Sequence, residues 1–261
     1  MKLIGRSIST GKARGKVLRL NEAFSFLGGV EGKTGELRVE NGGNVKDRIL
    51  VFPRGKGSTV GSFTMYDLKV HGKNPAAVIN SSAETIVATG AVISSIPMVD
   101  RIDVNLLRDG DDVTVDGDEG SIEIHNARLV RSVSSVVLSD GKVLMLKRPD
   151  DASSFPGIWS LAAGRKEENE TAEDAAKREI LEETGIRVSS PSASLDPRLV
   201  REKDVIWEVF PFLFVHNDMN VTLNGENTDH RWVCPEEMES MGTVPSTVSA
   251  VKELLSKITR P

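Results

Sequence analysis

With a single cysteine in 261 residues, the chain has no disulfide framework to build, so apolar cores must hold the fold and a bridge-stapled secreted scaffold is excluded. The lone thiol, Cys234, is also too few for an iron–sulfur cluster, which needs several ligands. It reads as a structural or incidental thiol. No apolar stretch approaches the roughly 20 residues of a membrane-spanning helix, and no signal-peptide pattern opens the sequence. Cytoplasmic residence without a membrane partner is the expectation, and the N-x-S/T matches at Asn80, Asn169 and Asn220 carry little meaning there. Cations are not in excess either. Thirty-three Lys and Arg against 38 Asp and Glu give a net charge of −5, which offers a nucleic-acid polymer no basic footprint.

What is present suffices for two modest cores: 39% of the residues are apolar. The boundary falls at Ile124-His125-Asn126-Ala127-Arg128, between two β-patterned stretches. That segment is short, so two closely tethered domains are expected, spanning residues 1–126 and 129–261.

The second half carries the more specific signal. Residues Gly164 to Ile186 read GRKEENETAEDAAKREILEETGI and fill the pattern G-x5-E-x7-R-E-U-x-E-E-x-G-U, with U aliphatic. Thr171 fits an N-cap with Asp174 three places on, and good helix formers run from Ala172 to Thr184 until Gly185 stops them. At about 100° per residue, Glu179, Glu182 and Glu183 share an arc of roughly 100° on one face. Like charges so placed destabilise a bare helix mildly, and divalent cations neutralise them. All-oxygen ligation favours Mg²⁺ or Mn²⁺ over zinc.

This stretch is similar to the Nudix hydrolases. The resemblance continues outside it: two strands at Val133 to Val137 and Lys142 to Lys147 joined through Ser139-Asp140-Gly141, then Phe155-Pro156-Gly157-Ile158-Trp159-Ser160-Leu161 leading into Ala163-Gly164. After it come an apolar strand from Val205 to Val215, a strand around Trp232 and a closing helix between Val244 and Ile258. The resemblance implies an α/β/α sandwich and attack of an activated water on a diphosphate linked to another group. Glu179, Glu182 and Glu183 are the expected metal ligands, completed by the backbone carbonyl near Ala163 and Gly164. Glu182 and Glu183 are also the expected catalytic carboxylates. Glu170 and Arg178 are expected to form a structural ion pair. Glu226 occupies a later loop in which some family members carry a further carboxylate for metal or base chemistry, although Glu202, Glu208, Asp218 and Asp229 are nearby alternatives. Specificity is expected from residues outside the pattern, among them Arg148, Trp159, Arg201 and Trp207, the tryptophans being either core or stacking platforms. The substrate class stays open between nucleoside diphosphate derivatives and isopentenyl-type diphosphates.

The first half is rich in glycine and short apolar runs. Lys16 to Leu20, Arg48 to Phe52, Ala76 to Asn80 and Ile86 to Ile93 read as strands or buried segments, and Val113 to Val115 with Ile122 to Ile124 flank a hairpin turn. A small β-rich α/β or barrel-like domain follows. Within it, Phe52 to Ser62 (FPRGKGSTVGS) is a glycine-rich stretch whose N–H groups, with Arg54 and Lys56, suit a phosphate or carboxylate. Its spacing is not that of a Walker loop.

The order of Ser25-Phe26-Leu27-Gly28-Gly29-Val30, Thr34-Gly35, Pro53-Arg54-Gly55-Lys56-Gly57-Ser58, Asn74 to Ile79 and Ala88 to Val92 resembles the small, swivelling subunit of the aconitase-X family, whose archaeal members act as phosphomevalonate dehydratase. The whole is then α/β in two domains: a β-rich swivelling β/β/α domain followed by a Nudix α/β/α sandwich. The resemblance implies Ser58 as a catalytic base, with Arg54, Lys56 and Gly57 binding substrate and lowering the serine's pKa, since an unassisted hydroxyl is too weak an acid. It also implies a separate large subunit bearing the iron–sulfur cluster. The expected function is thus an Mg²⁺-dependent Nudix hydrolase joined to a dehydratase-subunit domain. Two competing readings are a partner subunit whose Nudix half only senses a ligand, and a Nudix-fold isopentenyl diphosphate isomerase, against which the intact hydrolase pattern and the absent second cysteine argue.

Overall fold

A computed structural model describes residues 1–39, 42–152, 154–244 and 246–258. The chain divides into two compact units, Met1–Arg128 with Lys203–Val205, and Leu129–Glu202 with Ile206–Pro261.

The first unit contains β1 (Lys2–Ile4), β2 (Arg6–Ser9), β3 (Lys12–Arg19), β4 (Ile49–Arg54), β5 (Ala77–Ser82), β6 (Met98–Asp100), β7 (Asp112–Asp116) and β8 (Ser121–Ile124), with helical segments α1 (Phe26–Gly29), α2 (Val60–Val70) and α3 (Thr85–Ile93). The strands lie in the order β1-β8-β7-β3-β4-β5-β6-β2. From β3 to β6 they run parallel, and the remaining pairs are antiparallel. Because β1 and β2 are the two ends of that order yet are separated only by Gly5, the sheet curls back on itself. Ile49, Leu50, Val51 and Phe52 of β4 are all buried, as a strand covered on both faces requires.

Two helices depart from the sequence expectation. Residues 86–93, read as a strand or buried segment, form α3, and the glycine-rich stretch beginning at Phe52 turns into α2 at Val60. The reason is the packing between them. A Cβ on Gly90 would lie 2.5 Å from the Met65 sulfur and 3.1 Å from Cα of Ser62, so α2 and α3 cross closely. Small residues therefore occupy inward positions, and no apolar 3.6-residue period marks either helix.

The second unit contains β9 (Arg128–Ser139), β10 (Lys142–Lys147), β11 (Trp159–Ser160), β12 (Ala162–Arg165), α4 (Ala172–Thr184), β13 (Ala193–Ser194), β14 (Arg198–Glu202), β15 (Val205–Val215), β16 (Asp229–Val233) and α5 (Thr247–Ile258). The path β11-β10-β9-β15-β13 is extended by β12 on β9, β14 on β15 and β16 on β10. Asp140 and Gly141, both at positive φ (48° and 71°), close the β9–β10 hairpin. Successive side chains alternate between faces. Val133, Val137, Leu144 and Leu146 pack with Ala175, Ala176 and Ile180 of α4. Val136, Val143 and Met145 pack with Val251 and Leu254 of α5. One helix layer thus covers each face, which makes the α/β/α sandwich. No described helix is long and apolar enough to cross a membrane.

Candidate active sites

In the second unit the acidic helix is fixed at both ends by its own sequence. The Thr171 hydroxyl accepts the Asp174 N–H at 3.1 Å, Glu173 and Asp174 face the positive end of the helix dipole, and Gly185 takes the left-handed C-terminal position (φ 72°) with its N–H on Leu181 O at 2.9 Å. This frame turns Glu179 and Glu183, 9% and 6% exposed, toward β12. Glu182 lies at the rim, its side chain 53% exposed. Gly164 is indispensable to that arrangement. A Cβ there would sit 1.9 Å from the Glu179 carboxylate carbon and 2.0 and 2.2 Å from its oxygens. The Ala163 N–H donates to Glu183 Oε2 at 3.3 Å.

Arg178 is the only counter-charge bonded directly to this face among the described residues, and it is shared. Its guanidinium donates to Glu170 at 2.8 and 3.2 Å, to Glu179 at 2.7 Å, to Glu182 at 3.1 Å and to the Arg165 carbonyl at 3.0 Å. The hydrogen bonds from Arg178 hold the Glu170 carboxyl below its ordinary pKa, and Glu170 in return raises that of Arg178. The loop before α4 is thereby tied to the helix. Burial raises the pKa of Glu179, with the charges of Glu182 and Glu226 adding to it. Burial, then the Glu179 charge, pushes Glu183 up to about 8, with Glu226 contributing again and Arg148 opposing. Glu226 therefore shares the field of this cluster. No three carboxylate, imidazole or thiolate side chains among the described residues already converge as a ready ligand set. The donors are nevertheless all oxygen, and negative charge exceeds what Arg178 neutralises. That chemistry fits a hard divalent cation.

Beside Ala163 and Gly164 lies a cavity of about 340 Å³, lined also by Arg148, Phe155, Arg165 and Trp207. Ser154 positions Arg148, accepting from it through its carbonyl at 2.9 Å and its hydroxyl at 3.3 Å. Arg165 stacks 5.9 Å from the Trp207 ring centre. The two tryptophans part company: Trp207 faces the cavity, whereas Trp159 packs on the α5 side of the sheet with Arg231 over its ring at 4.9 Å. Arg201, on β14, is not among the lining residues.

In the first unit, Arg54, Lys56, Gly57 and Ser58 are exposed where β4 gives way to α2. This is the carboxyl end of the parallel strands, where open α/β sheets bind ligands. Phe24 clamps the loop: its N–H donates to Arg54 O at 3.0 Å and its carbonyl accepts from Lys56 N at 2.9 Å. Phe24, Phe26 and Phe52 meet edge-on beneath, at 5.1, 5.5 and 6.1 Å between ring centres. Gly57 has φ 111°, and a Cβ would fall 2.5 Å from Ser25 Oγ, so only glycine fits. Ser58 Oγ accepts the Val60 N–H at 3.4 Å, which places the hydroxyl at the α2 N-terminus.

Sequence reasoning missed Phe155 and Arg165 as cavity residues: Arg165 of β12 meets Trp207 of β15 only in the folded sheet, and Phe155 reaches the cavity from the loop before β11. It also missed Glu84, one of whose carboxylate oxygens is buried without a hydrogen-bond partner against Gly55.

Residues 2–124 match the family model of the aconitase X swivel domain, and residues 128–253 that of the NUDIX domain. The phosphomevalonate dehydratase small subunit of Thermococcus sibiricus is 53% identical over 128 residues, covering 48% of this chain and 98% of the relative. The chain belongs to the aconitase X swivel family, and a Nudix domain follows in the same polypeptide. The small subunit from Methanocella arvoryzae is 50% identical over 131 residues, 48% of this chain and 99% of the relative. Among solved structures, aconitase X from Thermococcus kodakaraensis shares 51% identity over 48% of this chain and 98% of that one, with a TM-score of 0.47. MutT protein from Methanosarcina mazei shares 21% identity over 52% and 99%, with a TM-score of 0.45. Both resemblances read from the sequence are borne out: the swivel family holds the Ser58 loop, and the Nudix domain holds the acidic helix.

Proposed function

We propose that the Nudix half, taken as residues 129–261, is an Mg²⁺- or Mn²⁺-dependent hydrolase of a diphosphate linked to another moiety. The observation that carries this reading is the crowding of carboxyl groups on the inner face of α4, with Glu179 packed on Gly164, Glu183 buried beside it and one guanidinium, Arg178, shared among Glu170, Glu179 and Glu182. Glu179, Glu182, Glu183 and the Gly164 carbonyl would hold the cation, which supplies charge neutralisation for the bridging phosphates and a more acidic water. Arg178 braces the loop and keeps Glu179 and Glu182 oriented. Arg148, beside the cavity and within the field of Glu183, binds a substrate phosphate oxygen. Glu182, Glu183 and Glu226 are the candidates to accept the proton of the attacking water as the P–O bond to the leaving phosphate breaks. The cavity, with Trp207 and Phe155 in its walls, takes the moiety beyond the diphosphate, whether nucleoside or isopentenyl-type.

For residues 1–126 we propose the small-subunit role in a dehydratase whose large subunit, a separate chain, carries the iron–sulfur cluster. Cys234 alone cannot hold one. Ser58 accepts the proton removed from the substrate, while Arg54, Lys56 and the Gly57 backbone bind the acid or phosphate and favour the ionised serine.

The hydrolase reading is tested by incubating the purified chain with Mg²⁺ and nucleoside, sugar and isoprenoid diphosphates and measuring released phosphate. Turnover that disappears in a Glu182→Gln, Glu183→Gln double variant supports it. No turnover across the panel transfers the assignment to a ligand-sensing Nudix domain.

A further inference from the structure

Helix α2 presents large apolar residues outward as well as inward, which an isolated domain does not require. Its buried residues are Gly61, Ser62, Met65 and Leu68. Its outward side carries Val60, Phe63, Tyr66 and Val70, which are 46%, 68%, 49% and 64% exposed. At about 100° per residue these four fall within an arc of roughly 120°, a stripe along the helix that is apolar apart from Asp67, whose side chain is 48% exposed in the same arc and paired with His71. Leu27 of α1, which packs beside α2, is also 45% exposed. Solvated helix faces carry charged residues, and contiguous apolar patches of several hundred Å² mark interaction sites. Aromatic side chains of about 150–250 Å² each mean that the exposed parts of Phe63 and Tyr66 alone present on the order of 200 Å².

We infer that this stripe is the docking surface for the large chain of the dehydratase, an inference that rests on the small-subunit role proposed above. Three observations select that occupant. The stripe starts at Val60, two residues beyond Ser58, so a partner seated on it also closes over Arg54, Lys56 and Ser58. The first half covers 98% of a relative that bears the name small subunit, so it corresponds to a whole chain of that kind. The stripe is also too small to be an interface by itself, since a standard one buries about 800 Å² per partner, and the exposed loop residues beside it provide the polar rim. Phe63 and Tyr66 are the anchors, as aromatic residues at the centre of an interface usually are.

The test uses the full chain and the large dehydratase chain of the same organism, with affinity measured by titration and self-association by sedimentation. The wild-type chain binds, Phe63→Asp weakens binding at least about 30-fold, and Val70→Asp weakens it less. Both positions are exposed, so melting temperatures stay near the wild-type value. Ile4→Asp, at an exposed apolar residue away from α2, leaves binding unchanged. Full affinity retained in a Phe63→Asp, Val70→Asp double variant overturns the surface while leaving the small-subunit role intact. A stripe-dependent dimer of this chain, abolished by Phe63→Asp, overturns the occupant. No binding by the wild type, or no such large chain in the organism, overturns the small-subunit role and this inference with it.

Discussion

Replacing Gly164 by alanine is the sharpest perturbation of the Nudix site, because the space for the new methyl group is already filled by the functional end of another residue. The added Cβ would lie 1.9 Å from the Glu179 carboxylate carbon, about half an ordinary carbon–carbon contact, so the carboxylate must swing away by well over an ångström. What it strikes is the end of a flexible side chain, so the fold yields cheaply. The displaced carboxylate gives up its 2.7 Å bond to Arg178. The net cost is no more than about 2 kcal/mol, or about 6 °C in the melting temperature of a domain this size. Function is less forgiving. Under the role proposed for Glu179 in holding the cation, misplacing its carboxylate by about 1 Å costs on the order of 100-fold in turnover. Gly164→Ala is therefore expected to keep its fold, by circular dichroism and thermal unfolding, while phosphate release and Mn²⁺ affinity collapse. Turnover within about twofold of wild type would falsify the placement of Glu179 at the catalytic centre.

Four further outcomes concern Glu183 in the Nudix half and Asp100 and Ser58 in the first half. Glu183, raised to about 8, must lose its proton to take a cation, so Mn²⁺ affinity should rise with pH between 6 and 8 and level off above, with proton release visible by titration calorimetry in two buffers; affinity independent of pH over that range contradicts the assignment. The sign for the metal-free protein is opposite. A carboxyl raised above its unfolded value stabilises fully only below that value, near 4.3, so stability should fall as pH climbs toward 8 and recover on adding Mn²⁺. In the first half, burial pushes the Asp100 carboxyl up, but hydrogen bonds from Arg6 and the Ala83 N–H outweigh it and leave the pKa lowered. Its stabilisation is then present at neutral pH and lost as pH falls through the folded pKa, so Arg6→Ala should lower the thermal midpoint at pH 7 by several degrees and flatten its acid dependence; an unchanged midpoint contradicts this. Ser58→Ala should abolish dehydration by the assembled enzyme while leaving Nudix hydrolysis untouched, and a parallel loss of both would contradict two separate chemistries.

The Nudix half was legible because its family pattern and its local structure use the same residues. Thr171, Gly185 and the spacing of three glutamates define the helix, its ends and its acidic face at once, and a helix can be read from a window that short. The Asp140-Gly141 hairpin and the strand from Val205 to Val215 were equally local. Trp159 and Trp207 were not distinguishable, because one faces α5 and the other the cavity, a difference set by strand pairings far apart in sequence. Helices α2 and α3 were obscured for a related reason: Ser62 and Gly90 are small so that the helices can cross, and α2 carries large apolar residues on its outer face as well as its inner one. The Ser58 loop was found from its glycines, yet its clamp by Phe24 and its contact with Ser25 arise from a segment about 30 residues earlier.

The central claim is that the inner face of α4 holds a divalent cation for hydrolysis. Titrating the full chain with Mn²⁺ and counting bound ions by electron paramagnetic resonance, alongside the Glu182→Gln, Glu183→Gln variant, tests it most directly. Tight Mn²⁺ binding that is lost in the variant is the predicted result; equal binding by both proteins would contradict the claim.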